Sequence, residues 1–232
     1  MIYVMSDIHG EYEKYIEMLR LINFNDGDEL YILGDIVDRG PEPIKILQDI
    51  IMRSNVFPIM GNHDLMALDV LKKLSVDITE DNFSSQVDIE VMNEMLDWFS
   101  NGGTVTMEKF RELNKIERRD ILDYIGSFPL CDIAETEEKT FILVHAGLGN
   151  FSKNKKLKEY TPEELLLSRT NPETRLFDDE SIYVVSGHTP TLNITGKSEI
   201  YINNNNICID CGVVFGGKLG CICLDTMEEF YI

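Results

Sequence analysis

The 232-residue chain has four histidines, and each stands beside Gly, Asp or Asn: Asp7-Ile8-His9-Gly10, Gly61-Asn62-His63-Asp64, His145-Ala146-Gly147 and Gly187-His188-Thr189. A fifth block reads Gly34-Asp35-Ile36-Val37-Asp38-Arg39-Gly40. Asp, Asn and His without cysteine make a mixed oxygen and nitrogen donor set, which suits manganese, iron, zinc or similar ions and not an iron–sulfur cluster. A carboxylate in such a set can bridge two divalent ions about 3.5–4 Å apart, and such a pair clamps both oxygens of an in-line phosphoryl displacement. A single histidine at a strand end is more often a packed, hydrogen-bonded residue than a ligand. Five such blocks in one chain are poorly explained that way. An aspartyl-phosphate enzyme is the other reading of Asp35 and Asp38, but their flanking histidines fit metal binding better. No Cys-x5-Arg nucleophile loop is present.

Each block follows a short apolar run rich in β-formers. Ile2–Met5, Leu30–Leu33 and Val56–Met60 read as strands. They alternate with helical patterns: Tyr15, Ile16, Leu19 and Ile22 on one stripe, a helix opened by Pro41 with Ile44, Leu47, Ile50 and Ile51, and a helix from about Asp64 to Leu74 with Met66, Leu68, Leu71 and Leu74 as core. This β-α-β-α-β order predicts a parallel sheet with right-handed crossovers. Residues 76–128 read as a mainly helical insert. Ser85 and Asp88 form a start signal, Asn101-Gly102-Gly103 a stop, and two short helices follow near 105–115 and 117–126. The remainder is β-rich, interrupted by a helix capped by Thr161-Pro162-Glu163-Glu164. The run Asn203 to Asn206 predicts a turn, because Asn tolerates left-handed backbone. The expectation is an α/β chain of two sheets packed face to face between helices, one domain over 1–232. In open α/β sheets ligands bind beyond the carboxyl ends of the strands, so the five blocks point to one site.

Composition sets the outer limits. Forty-one acids against 21 bases give a formal charge of −20, which argues against a nucleic-acid or anionic-membrane partner. No apolar run reaches the length of a membrane span, and the N-terminal residues lack the basic and apolar regions of a signal peptide. Five cysteines read as free thiols, so a cytoplasmic protein is expected.

At the five blocks the chain resembles the calcineurin-like metallophosphoesterases. More narrowly, it resembles the phosphoprotein phosphatase family of serine/threonine phosphatases in its bacterial and phage branch. The segment Trp98…Asn101-Gly102-Gly103…Thr106, the tail Ile209-Asp210-Cys211-Gly212…Phe215-Gly216-Gly217-Lys218-Leu219, and Pro190 two residues after His188 sharpen the likeness. The resemblance implies the four-layer α/β/β/α metallophosphoesterase fold and two divalent ions, with manganese first and iron, zinc or nickel as others. It implies that Asp7, His9 and Asp35 bind the first ion, that Asp35 bridges, and that Asn62, His145 and His188 complete the second. Arg39 would contact phosphate, with Arg169 as its second arginine. His63 would be the general acid, oriented by Asp38. The family usually has Glu where Asp64 stands, and Asp64 reads as a helix-start residue of little catalytic effect.

The implied activity is a phosphatase acting on phosphoserine and phosphothreonine in proteins, with phosphotyrosine as a further substrate, through direct attack of a hydroxide held between the two ions. The partner would be a phosphorylated protein or another phosphate ester. The alternative is a hydrolase of dinucleoside polyphosphates of the diadenosine tetraphosphate type. A scaffold without turnover is disfavoured, since every expected ligand and the acid are present. Two weaker signals read as structural. Cys208, Cys211, Cys221 and Cys223 lie on strands, where residues three apart face opposite ways, so they read as buried thiols. Lys153, Lys155, Lys156 and Lys158 read as a solvated loop, or else as a rim that attracts acidic phosphate substrates.

Overall fold

The computed structural model describes residues 1–75, 89–169 and 171–232. Two five-stranded sheets form the frame. In the first, β1 (Ile2–Met5), β2 (Glu29–Ile32) and β3 (Val56–Pro58) run parallel, and β9 (Gly220–Cys223) and β10 (Glu229–Tyr231) extend the sheet antiparallel from β1. In the second, β5 (Thr140–Val144), β6 (Ile182–Ser186) and β8 (Asn206–Cys208) are parallel. The edges are the antiparallel β4 (Cys131–Glu135) and β7 (Tyr201–Asn203). In the β7–β8 hairpin, Asn204 and Asn205 take φ of 48° and 62°, the left-handed pair that the asparagine run predicted.

The period-2 alternation of the strands divides their side chains between separate cores. Val4, Tyr31 and Leu33 from the first sheet meet Phe141, Leu143, Val185 and Ile207 from the second in a buried layer between the sheets. Their chain neighbours Met5, Leu30 and Ile32 face the other way, against α1 (Tyr12–Leu21), α2 (Pro43–Ile50) and α3 (Asn62–Leu74). On the far side Ile142, Val144 and Val184 pack with Tyr160 and with Leu165 of α7 (Pro162–Leu166). Two sheets back to back with helices outside are the expected four-layer arrangement.

The helical insert is present over its described part as α4 (Ile89–Ser100), α5 (Thr104–Glu112) and α6 (Lys115–Ile125), while the Ser85–Asp88 start signal lies outside the described residues. Two sequence expectations shift. The helix assigned to Pro41 begins at Pro43, the second proline of Pro-Glu-Pro. Leu74, assigned to the core stripe with Leu68 and Leu71, is 43% exposed at the end of its helix. A further short helix, α8 (Thr191–Thr195), follows the last histidine block and has too few residues to show a period. All five cysteines are free; Cys211 packs between the sheets, whereas Cys221 and Cys223 pack toward the helices. Lys153 pairs with Asp178 in solvent, whereas Lys155 is only 19% exposed, paired with Glu164 and set over the Tyr160 ring at 4.1 Å. Among the described residues no helix is long and apolar enough to cross a membrane.

Candidate metal and phosphate site

Every block sits just past the carboxyl end of its strand: Asp7 and His9 after β1, Asp35, Asp38 and Arg39 after β2, Asn62 and His63 after β3, His145 after β5, and His188 after β6. The backbone there is strained. Six of the eleven non-glycine residues with positive φ among the described residues are Asp7, His9, Asp35, Asp38, Arg39 and His188. Such conformations cost on the order of 1–3 kcal/mol each and persist only where the surroundings over-determine them. The surroundings here are other loops. Asp7 N–H donates to Gly34 O (3.1 Å), His9 N–H to Asp35 O (2.9 Å), Gly40 N–H to His9 O (2.9 Å) and Gly187 N–H to His145 O (2.7 Å). At Gly187 the approach is so close that a Cβ would lie 2.1 Å from Asp7 Oδ2.

Asp64 ties two of these segments together. It is fully buried; its Oδ1 accepts the N–H groups of Ile36 (3.0 Å) and Val37 (3.2 Å), and its Oδ2 accepts Gly61 N–H (3.1 Å). Asp64 is therefore more than a helix-start residue: it fastens the Asp35 loop to the start of α3. Each buried donor left unpaired costs about 1–3 kcal/mol, so Asp64→Ala is expected to lower stability by roughly 3 kcal/mol or more. Urea unfolding checks this, and a loss below about 1 kcal/mol would remove the fastening role.

The side chains converge. Among the described residues, His9, Asp35 and His63 form one group of candidate metal donors, and Asp35, His145 and His188 a second, with donor atoms within 4.8 Å of one another in each. Asp35 belongs to both: its Oδ2 lies 3.5 Å from His9 Nε2 and its Oδ1 lies 3.4 Å from His145 Nε2. Asn62 Oδ1 joins the second group, 2.9 Å from both His145 Nε2 and His188 Nδ1. Metal–ligand bonds of about 2.0–2.2 Å imply donor–donor edges of roughly 3.0–3.5 Å, so these spacings fit a coordination shell. The tautomers fit as well. His145 Nδ1–H donates to Leu33 O (2.7 Å) and His9 Nδ1–H to Val37 O (2.9 Å), which leaves each Nε2 lone pair directed into the site. Asp7 is buried beside them, with Oδ2 accepting His188 N–H (3.0 Å) and the Ser6 hydroxyl. The first donor group thus contains His63, where the resemblance implied Asp7.

Electrostatics separates the histidines. Burial pushes His9 down to about 3 and His188 down to about 4, so both are neutral donors at physiological pH. Burial also opposes the charged form of His63, but its hydrogen bond to Asp38 and the nearby Asp35 charge outweigh that and hold it above the ordinary value. Burial and the neighbouring Asp210 and Asp35 push Asp7 well up, and burial raises Asp210 to about 6. A buried anionic cluster of this kind is relieved by divalent cations.

Arg39 lies at the mouth of the site and donates from Nη1 to His9 Nε2 (2.6 Å) and from Nη2 to His63 Nε2 (2.9 Å). Arg169 lines the same cleft from the opposite part of the chain and donates to Thr189 Oγ1 (3.2 Å). The cleft, about 500 Å³, is also walled by Asn101 of the insert, Pro190, Leu192, Asp210 and Phe215. All ten residues singled out from the sequence are thus brought to one strand-end region. Sequence reading missed roles for Asp64, Trp98, Thr106, Asp210 and Phe215. The last four lay inside segments noted only for their likeness to other proteins.

Comparison with known proteins corrects the substrate expectation. The chain is 28% identical over 135 residues to a symmetrical bis(5'-nucleosyl)-tetraphosphatase of Wigglesworthia glossinidia brevipalpis, covering 57% of this chain and 47% of that protein. It is 29% identical over 150 residues to the protein of the same name in Erwinia tasmaniensis, covering 64% and 52%. The chain spans about half the length of the curated relatives it matches. These names overturn the expected serine/threonine phosphatase branch, and with it a phosphorylated protein as the partner. A crystal structure provisionally called a diadenosine tetraphosphatase superposes with a TM-score of 0.67 at 17% identity, over 100% of this chain and 92% of that one; it bears on the fold alone. A family model, described as calcineurin-like phosphoesterase, matches residues 1–217 and so takes in all five strand-end blocks. On that match the chain belongs to the calcineurin-like phosphoesterase family.

Proposed function

We propose that this protein hydrolyses dinucleoside polyphosphates at the strand-end cleft. The observation that carries the reading is the composition of the cleft wall. Arg39 and Arg169 supply charge for a phosphate chain, and next to them stands an exposed apolar surface of Leu192 and Phe215, 44% and 59% exposed. A nucleotide presents both parts, a polyanion and a flat base. The names of the curated relatives point the same way.

In this reading Asp7, His9 and Asp35 hold one divalent ion, and Asp35, Asn62, His145 and His188 hold the other. Bound there, the ions would neutralise phosphate charge and activate water for in-line attack. The rest is done by the chain. Arg39, set over the Phe215 ring at 5.2 Å, would turn its donors from the two histidines to the equatorial phosphate oxygens. Arg169 would hold the next phosphate. His63, with Nδ1–H bound to Asp38 Oδ2 (2.8 Å), would deliver its Nε2 proton to the departing oxygen.

The test is a substrate panel with manganese present: diadenosine tetraphosphate, a phosphoserine peptide and p-nitrophenyl phosphate. Turnover of the dinucleotide to two nucleoside diphosphates at the highest kcat/KM is expected. Faster turnover of the peptide, or none of the dinucleotide, would overturn the reading. A base stacked on an aromatic ring is stabilised by about 1–3 kcal/mol, so Phe215→Ala is expected to raise KM for diadenosine tetraphosphate roughly 5- to 100-fold. The KM for p-nitrophenyl phosphate should rise far less. Equal rises would mean that Phe215 serves Arg39 and not a base.

A further inference from the structure

Asp38 is a buried carboxylate whose neighbours come from an unexpected place. Its Oδ2 accepts His63 Nδ1–H (2.8 Å) and also the indole N–H of Trp98 (2.8 Å). Its Oδ1 accepts the hydroxyl of Thr106 (2.7 Å), whose oxygen accepts Asp38 N–H in turn (2.9 Å). Trp98 is the last buried residue of α4 and Thr106 lies in the first turn of α5. The turn between them carries Gly102, whose carbonyl accepts Arg39 N–H (3.0 Å). A Cβ at Gly102, where φ is 103°, would lie 2.7 Å from Arg39 Cγ. The helical insert thus grips both the backbone and the carboxylate of the Asp38-Arg39 pair.

The terminal torsion of an aspartate is broad and roughly two-fold, so a carboxylate held at one oxygen can turn. Here the two oxygens are held by donors from two different helices, which fixes the plane of the group. Trp98 and Thr106 are neutral donors. They satisfy the buried anion without bringing a cation that would compete with His63 for it. We propose that Trp98 and Thr106 are positioning residues for the Asp38–His63 pair, fixing the carboxylate so that the His63 imidazole keeps its Nδ1 proton on Asp38 and presents Nε2 to the departing oxygen. The inference rests on the reading of His63 as the general acid.

A role in packing alone would also explain a fully buried tryptophan, so the test uses a readout that packing does not move. Phenyl phosphate releases a more basic oxygen than p-nitrophenyl phosphate, and only the former needs much help from an acid. Loss of a group that orients a catalytic or ligating side chain typically costs about 10- to 100-fold. Trp98→Phe keeps the ring and removes the donor. At saturating manganese it is expected to lower kcat on phenyl phosphate roughly 10-fold or more and on p-nitrophenyl phosphate less than about 3-fold. Thr106→Val should show the same bias, and Thr106→Ser, which restores the hydroxyl, should reverse it. In an Asp38→Asn background the Trp98→Phe loss should largely vanish, since the two act through one contact.

Thr106→Val carries the test if Trp98→Phe does not fold. Equal losses on both substrates, or no loss in either variant, would overturn the inference and leave the two residues as packing. His63→Asn run beside them separates the layers. If it shows the leaving-group bias while Trp98→Phe and Thr106→Val do not, the positioning role alone fails. If it lacks the bias, the acid reading fails and the positioning role falls with it.

Discussion

Asp35→Asn is expected to leave the protein with at most one bound divalent ion and to lower kcat/KM on every phosphate substrate by roughly 10²–10⁴-fold, taking several kcal/mol for the lost charge stabilisation at about 1.4 kcal/mol per factor of ten. The reason is geometric. Asp35 Oδ1 faces His145 and Oδ2 faces His9, so the two donor groups share this carboxylate and nothing else. An amide has one oxygen. Whichever way it turns, its NH₂ hydrogens face one of the two donor groups and repel a cation there. Asp35 Oδ1 also accepts His63 N–H (3.0 Å), which favours keeping the oxygen on the His145 side and sacrificing the His9 side. Metal content after equilibration with manganese, measured with kcat/KM, checks both parts. Two ions with activity near that of the parent protein would remove Asp35 from the bridging position.

His63→Asn should have the next largest effect, and one that depends on the leaving group. General acid catalysis supplies about 10²–10⁴-fold where the departing oxygen is strongly basic. An alkyl or phenyl phosphate should therefore lose that much in kcat, and p-nitrophenyl phosphate much less. A dinucleoside tetraphosphate splits at an anhydride, and its departing oxygen belongs to a phosphate whose second pKa is about 6, a weak base. The loss on diadenosine tetraphosphate should then lie nearer the nitrophenyl value. His188→Asn should behave differently and harm all substrates alike, because it removes a donor of the second group. The pKa directions support this division: His188 is pushed down to about 4 by burial, whereas His63 is held up against burial by Asp38 and Asp35. An equal loss on all substrates for His63→Asn would assign it to metal or phosphate binding.

Much of this site could be read from the chain alone. Short apolar runs ending in Asp, Asn, His and Gly identify strand ends, and a β-α-β-α-β order puts such ends on one edge of a parallel sheet. The four histidines and Asp35 were legible because they fall at the ends of apolar runs beside glycines that permit close loop contacts. The two-sheet frame was legible because the short apolar, β-rich runs fall in two blocks separated by the helical insert. The substrate class was legible only as the alternative, a dinucleoside polyphosphate. A resemblance built on metal-binding blocks describes the shared chemistry of phosphoryl transfer, and those blocks are indifferent to what the phosphate is attached to. The residues proposed to meet a base, Phe215 and Leu192, lie outside them.

Residue type and local spacing therefore determined which candidate groups meet at the strand ends, since each candidate metal donor is announced by its own strand and turn. Tertiary structure decided what holds them. The indole of Trp98 reaches Asp38 across 60 residues of chain, the Thr106 hydroxyl across 68, and Asn62 meets His188 across 126. A hydrogen bond over such a separation depends on how a helix packs on the sheet, and the sequence around Trp98 encodes only that one face of α4 is apolar. The direction in which its N–H points is set by the packing of α4, α5 and Gly103, where an added Cβ would lie 2.3 Å from the indole ring.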